Sequence, residues 1–232
     1  MTCLGCGPDD APGGDAGVGP PSASGDAVEK PGPPTPVAGA SAVREYERRK
    51  AKREEAIRTR HPRLGGLILF LSDEPASTTA WAKGAVGERK LGAGLDGLVD
   101  AGVVALHDRR IPGSKANIDH IAVTPAGVWV IDAKRYSGQV AKRDGGGWFS
   151  TDLRLYVGRR DCTKLIGVMA KQVTAVRAAL GDQWAEVPVR PVLCFVDGEW
   201  GFFSRSFELD GVLVAWPKAT RELLTRPGPY TP

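Results

Sequence analysis

The stretch NIDHIAVTPAGVWVIDAK, Asn117 to Lys134, reads as two strands joined by a tight turn, yet it carries Asp119, Asp132 and Lys134 in segments that otherwise look buried. Charge inside a sheet is expensive unless it is paired or coordinates an ion. Pro125, Ala126 and Gly127 supply turn chemistry. A two-residue turn that pairs Thr124 with Gly127 makes opposed residue numbers sum to 251, so Asp119 faces Asp132. Opposed residues point to one side with Cβ atoms about 4.5–5.5 Å apart. Lys134, two residues beyond Asp132, joins that side. Asn117, Ile121, Val123, Val128 and Val130 share this face; Ile118, His120, Ala122, Trp129, Ile131 and Ala133 take the other. A three-residue loop would shift the register and undo the alignment.

Two opposed carboxylates repel unless something positive sits between them. Oxygen ligands favour Mg²⁺ or Mn²⁺ over zinc, and a lysine one strand step away can hold a developing negative charge or orient a water. The hairpin alone leaves a second reading open, an Asp–Lys ion pair at a sheet edge. Two further residues favour the metal. Glu88 is an acid on a helical stripe formed with Trp81, Gly84, Leu91, Leu95 and Leu98, and Gln172 is an amide on the stripe Leu165, Met169, Val176, Leu180. A polar residue on a core-facing stripe must find a partner. Two helices thus aim Glu88 and Gln172 at the sheet bearing Asp119, Asp132 and Lys134, a convergence that a metal-dependent phosphodiester site requires.

The elements that position these residues follow from pattern. Residues 1–40 are rich in Pro, Gly and Ala and poor in large apolar side chains, which predicts a disordered tail. Ala42–Arg60 carries eight basic and four acidic residues and no helix breaker; it predicts a charged, solvent-exposed helix, with Pro62 ending it. This helix is either simply solvated, a basic arm for nucleic-acid phosphates, or a dock for a protein partner. The apolar run LGGLILFL and the polar loop SDEPASTT follow. A helix spans Trp81–Leu98, weakened by five glycines, and another spans Thr163–Gly181. Strands are expected in Val103–Ile111, in the hairpin, in RLYVG after GGGW, in Val189–Asp197 and in Gly211–Pro217. The order predicts an α/β fold, a mixed central β-sheet flanked by helices.

The totals restrict the alternatives. The chain has 232 residues, 42% apolar and 25% charged, with net charge +4. That permits a polyanion partner without requiring one. The longest apolar run falls far short of the roughly 20 residues needed to span a membrane, and the N-terminus lacks the features of a secretory signal. Cys3 and Cys6 form a lone CxxC without a second pair; with Cys162 and Cys194 they read as thiols of a reduced cytoplasm.

The segments GAVGERKL, HDRRIPGSKANIDHIAV, VWVIDAKRYSGQV and AKQVTAVRAAL together strongly resemble the NERD (nuclease-related) domain. The resemblance covers about residues 83–196 and implies a restriction-endonuclease-like, PD-(D/E)xK fold. Glu88 matches the family's helical acid, Asp119 its metal-binding aspartate, Asp132 and Lys134 the D/E-x-K pair, and Gln172 the glutamine of the later helix. The implied organisation is a tail over 1–40, a charged helix and linker over 41–80, the nuclease-like domain over 81–200, and a C-terminal strand and tail over 201–232. The expected activity is Mg²⁺-dependent (or Mn²⁺-dependent) phosphodiester hydrolysis on DNA, or RNA, in the cytoplasm. Asp119, Asp132 and the Ala133 carbonyl would hold the cation, and Glu88 would complete a second metal site or orient a water. His107, Arg109, Arg110 and Lys115 would grip phosphates, and Trp148 would pack at a turn or stack on a base. The rival expectation is a nucleic-acid-binding or protein-interaction module that keeps this outline and cuts nothing.

Overall fold

The structure, a computed structural model, describes residues 37–230 apart from 65, 67, 70, 71, 73, 74, 148, 149, 202 and 203. The tail with Cys3 and Cys6, parts of LGGLILFL and of SDEPASTT, and Trp148 lie outside the described residues. The helices are α1 (Ala40–Arg60), α2 (Ala76–Asp96), α3 (Lys164–Leu180) and α4 (Pro217–Leu224). The strands are β1 (Val104–Arg110), β2 (Asn117–Thr124), β3 (Gly127–Lys134), β4 (Val140–Asp144), β5 (Leu153–Val157), β6 (Arg160–Asp161), β7 (Val189–Phe195), β8 (Phe207–Leu209) and β9 (Val212–Ala215).

Six strands form a mixed sheet in the order β1-β2-β3-β7-β9-β8, and β4-β5-β6 form a separate ribbon. β1, β2 and β3 run antiparallel, β7 joins β3 in parallel, and β9 joins β7 in parallel. β3 is therefore central and buried along almost its whole length, which is why it reads as a continuous apolar run broken only by Asp132 and Lys134. Its two sides feed two cores. Val128 and Val130 pack with Met169, Val176, Leu193 and Phe195, the α3 side. Trp129, Ile131 and Ala133 pack with Leu91, Leu95, Val192, Cys194 and Leu224, the side of α2 and α4.

The hairpin turns as its residues predict: Thr124 pairs with Gly127, and the same sum of 251 carries the register to His120 opposite Ile131. Gly127 takes a φ of 121°, and a Cβ there would stand 2.7 Å from the Pro188 carbonyl oxygen, so only glycine fits.

Two expectations need correction. Ile118 falls in the cluster of Val128 and Val130 and not in that of Ala122 and Trp129, although burial alternates along the whole of β2. The C-terminal segment adds a second short strand, β8, and the helix α4 with Pro217 at its start. Pro217 reads as a strand terminator, but it is equally suited to the first turn of a helix.

Gly92 of α2 has a packing reason. Gly92 is buried, and a Cβ there would lie 2.6 Å from Ala38 Cβ. A Cβ on Gly39, the residue before α1, would lie 2.8 Å from the Ala85 carbonyl oxygen. Small residues thus let the start of α1 settle onto α2. Arg49 lies over the Trp81 ring at 5.5 Å, further along the same contact.

Candidate active site

Asp119 and Asp132 meet at the open end of the hairpin, one step beyond the last ladder pair. Asp132 is buried on β3, and its carboxylate accepts a hydrogen bond from the Lys134 ammonium. Asp119 Oδ2 accepts the backbone N–H of Ala133 at 2.9 Å. The side chain thereby takes the place of a ladder bond, just past the last pair of the hairpin ladder. The Asp119 and Asp132 carboxyls are close enough that the charge of one acts on the other.

Electrostatics follow from this crowding. Burial, then the Asp132 charge, pushes the Asp119 carboxyl well above the usual carboxylate range, against the pull of Lys134. For Lys134, burial favours the neutral amine, but Asp132 and Asp119 outweigh it and hold the ammonium at about 12. Glu88, half-buried on α2, is raised to about 7 by burial; Lys134 pulls it down, and Asp108 and Asp132 push it up. Glu88, Asp119, Asp132 and Lys134 therefore form one electrostatic unit, assembled from α2, β2 and β3.

Gln172 is buried on α3 between Met169 and Val176, the helix that covers the Asp132 side of β3. Among the described residues no hydrogen bond joins it to the carboxylates, and its Oε1 has no partner. Arg109 is half-buried, with its Nε enclosed and unpartnered. Arg110 and Lys115 are exposed where β1 turns toward β2, and Arg110 Nε donates to the Ser114 carbonyl at 3.3 Å. His107, expected to grip phosphates, is instead buried: its Nδ1 meets His120 Nδ1 at 2.8 Å and its Nε2 meets Asp96 Oδ1 at 2.8 Å. Burial pulls His120 down to about 3, so it is neutral at physiological pH. This pair is core structure, not a phosphate contact.

Sequence reasoning missed Asp108. β1 and β2 pair at His107–His120 and at Arg109–Ile118, which brackets Asp108 and Asp119. One rung of the sheet thus carries three aspartates, on β1, β2 and β3. Asp108 is buried at a φ of 50°, a left-handed conformation that Asp tolerates better than most residues. Its carboxylate accepts from the Ser41 amide (2.9 Å), Arg44 Nη2 (3.3 Å) and Asn117 Nδ2 (2.6 Å). The sign was present in "HDRR", but the loop from Ile111 to Ala116 hides the register that makes it visible.

Among the described residues, no three His, Cys, Asp or Glu side chains stand grouped to hold a metal ion. The donor set itself is all oxygen: two crowded carboxyls, one of them pushed up by burial and by its neighbour's charge, beside the backbone of Ala133. Such a set fits a hard cation that keeps several of its waters.

The mixed six-stranded sheet with its flanking helices makes this an α/β protein. Residues 83–196 match the family model NERD, nuclease-related domain, so the chain carries a nuclease-related domain over that stretch. Comparison with curated proteins and with solved structures gives no match.

Proposed function

We propose that the protein is a metal-dependent phosphodiesterase acting on DNA in processing or repair, with a restriction-endonuclease-like active site. The observation that carries this reading is the cluster of Glu88, Asp119 and Asp132 around Lys134, in which burial and like charge hold two carboxyls far from their ordinary ionisation. Asp119, Asp132 and the Ala133 carbonyl would hold Mg²⁺ or Mn²⁺, and Glu88 would complete a second metal site or orient a water. The bound cation supplies Lewis acidity and a water of lowered pKa.

The chain's own groups do the rest. Lys134 stays charged at neutral pH and faces the negative charge that grows on the phosphoryl oxygens. Glu88, raised to about 7, is matched to accept the proton that the attacking water sheds. Water adds to phosphorus, the bond to the leaving nucleoside oxygen breaks, and that oxygen takes up a proton. Gln172 orients water, Lys134 or a phosphate oxygen. Arg109, Arg110 and Lys115 contact the backbone of the substrate. The reading places the protein in the cytoplasm, where its free Cys162 and Cys194 would stay reduced.

One observation favours a second reading, a module that binds nucleic acid without cutting it: Lys134 closes on Asp132, and among the described residues no three-ligand group stands ready. The full chain should therefore be assayed with Mn²⁺ or Mg²⁺ on single-stranded, nicked and branched DNA beside Asp132→Ala. The nuclease reading expects cleavage that falls by at least about a hundredfold in the variant. Binding without cleavage under every metal condition selects the module.

A further inference from the structure

The helix α1 lies outside the matched domain, and the chemistry of the site does not use it. Between Ala42 and Arg60 it carries eight basic and four acidic residues, a net +4 in 19 positions. Residues 61–232 carry 22 basic and 18 acidic, the same net +4 spread over 172 positions. Arg44, Arg48 and Lys52 recur every fourth residue, so they stand on one ridge about 6 Å apart. The Arg44 and Arg48 side chains are 66% and 63% exposed, and Lys52 is exposed with no partner among the described residues.

The ridge does not start at random. Its first cation, Arg44, bonds Asp108, the aspartate on the same rung as Asp119 and Asp132, and Asp108 also caps the helix through the Ser41 amide. The N-terminus of α1 is thus fixed at the acidic centre, and the basic ridge runs outward from it. The acids on the helix do not cancel the ridge: Glu45 is already held by Arg48 and Arg49, and exposed ion pairs of this kind yield readily to a competing anion.

We propose that α1 is a nucleic-acid rail, a basic ridge of Arg44, Arg48 and Lys52 that Asp108 anchors at the carboxylate site so that a strand held there is led into it. From Arg44 to Lys52 the ridge spans about 12 Å, which matches roughly three phosphates of one strand at about 3.4 Å of axis each. The partner is a nucleic-acid backbone rather than a lipid surface, because the ridge is purely basic and lacks the apolar face an interfacial helix inserts. The inference rests on the nucleic-acid half of the proposed function and not on cleavage.

The test uses the full chain carrying Asp132→Ala in EDTA, titrated against a short fluorescent DNA duplex over a range of salt. Adding Arg48→Gln and Lys52→Gln should lower the slope of log affinity against log salt by about 0.9 for each phosphate no longer neutralised, so that the parent loses roughly tenfold more affinity than the variant between about 50 and 200 mM salt. Glu47→Gln, which removes an exposed acid from the same helix, should tighten binding at low salt. Slopes and affinities unchanged in both variants overturn the rail while leaving the nuclease reading intact. A parent chain that binds anionic vesicles but not duplex overturns it in favour of a membrane, and one that binds no nucleic acid overturns it together with the reading it rests on.

Discussion

At the scale of single residues, the account depends on how a few carboxyls are held. Glu88 ionises near 7 instead of its ordinary 4.5. A carboxyl whose folded pKa is raised binds its proton more tightly in the folded state, so stability is greatest at low pH and falls as pH rises from about 4.5 through 7. In metal-free buffer, raising the pH from 5 to 8 should lower stability by up to about 3 kcal/mol from this group alone, with Asp119 acting in the same direction. Thermal denaturation of Glu88→Gln checks this: the variant should show a flatter profile and exceed the parent at pH 8. Mn²⁺ should raise the melting temperature more at pH 8 than at pH 5, since a cation bound only by the folded state stabilises by mass action and competes with protons. A melting temperature independent of both pH and Mn²⁺ would contradict the picture of crowded carboxyls. Asp119, Asp132 and Lys134 were legible in the sequence because turn chemistry fixes a hairpin register locally. His107 was not: its burial depends on Asp96 of α2 and on His120 of the next strand, partners that no local pattern reveals.

At the scale of elements, the site is built where regular pairing stops. The hairpin ladder ends at His120–Ile131, the Asp119 carboxylate satisfies the Ala133 amide, and Asp108 leaves the β1–β2 ladder to cap α1. Replacing Asp108 by alanine removes that cap and leaves Asn117 Nδ2 without its acceptor. The change should cost about 1–3 kcal/mol, and hydrogen exchange should show the first turn of α1 losing protection before the sheet does. Gly92→Ala should be destabilising by about 1–3 kcal/mol in denaturant unfolding, because the added methyl meets Ala38. The same position explains one of the glycines that weakened α2 in the sequence: Gly92 admits the close approach of Ala38, just before α1, which propensity does not see. Ile118 alternates in burial with its neighbours as expected yet joins the other core cluster, since alternation does not say which neighbours the end of a strand meets.

At the scale of the whole molecule, the order of the long helices and of the main strands of a mixed sheet followed from pattern. β8 and α4 did not, since three- and eight-residue elements are too short to show a period. The nuclease-related domain accounts for residues 83–196, and α1 brings a concentrated positive charge to its acidic centre. Salt should therefore weaken nucleic-acid binding through α1 more than through any other element. The most direct test of the central claim is anomalous diffraction from crystals of this chain soaked in manganese. The account predicts a peak between the Asp119 and Asp132 carboxylates, within reach of the Ala133 carbonyl. Manganese found only elsewhere, or absent with both carboxylates ordered, would contradict it.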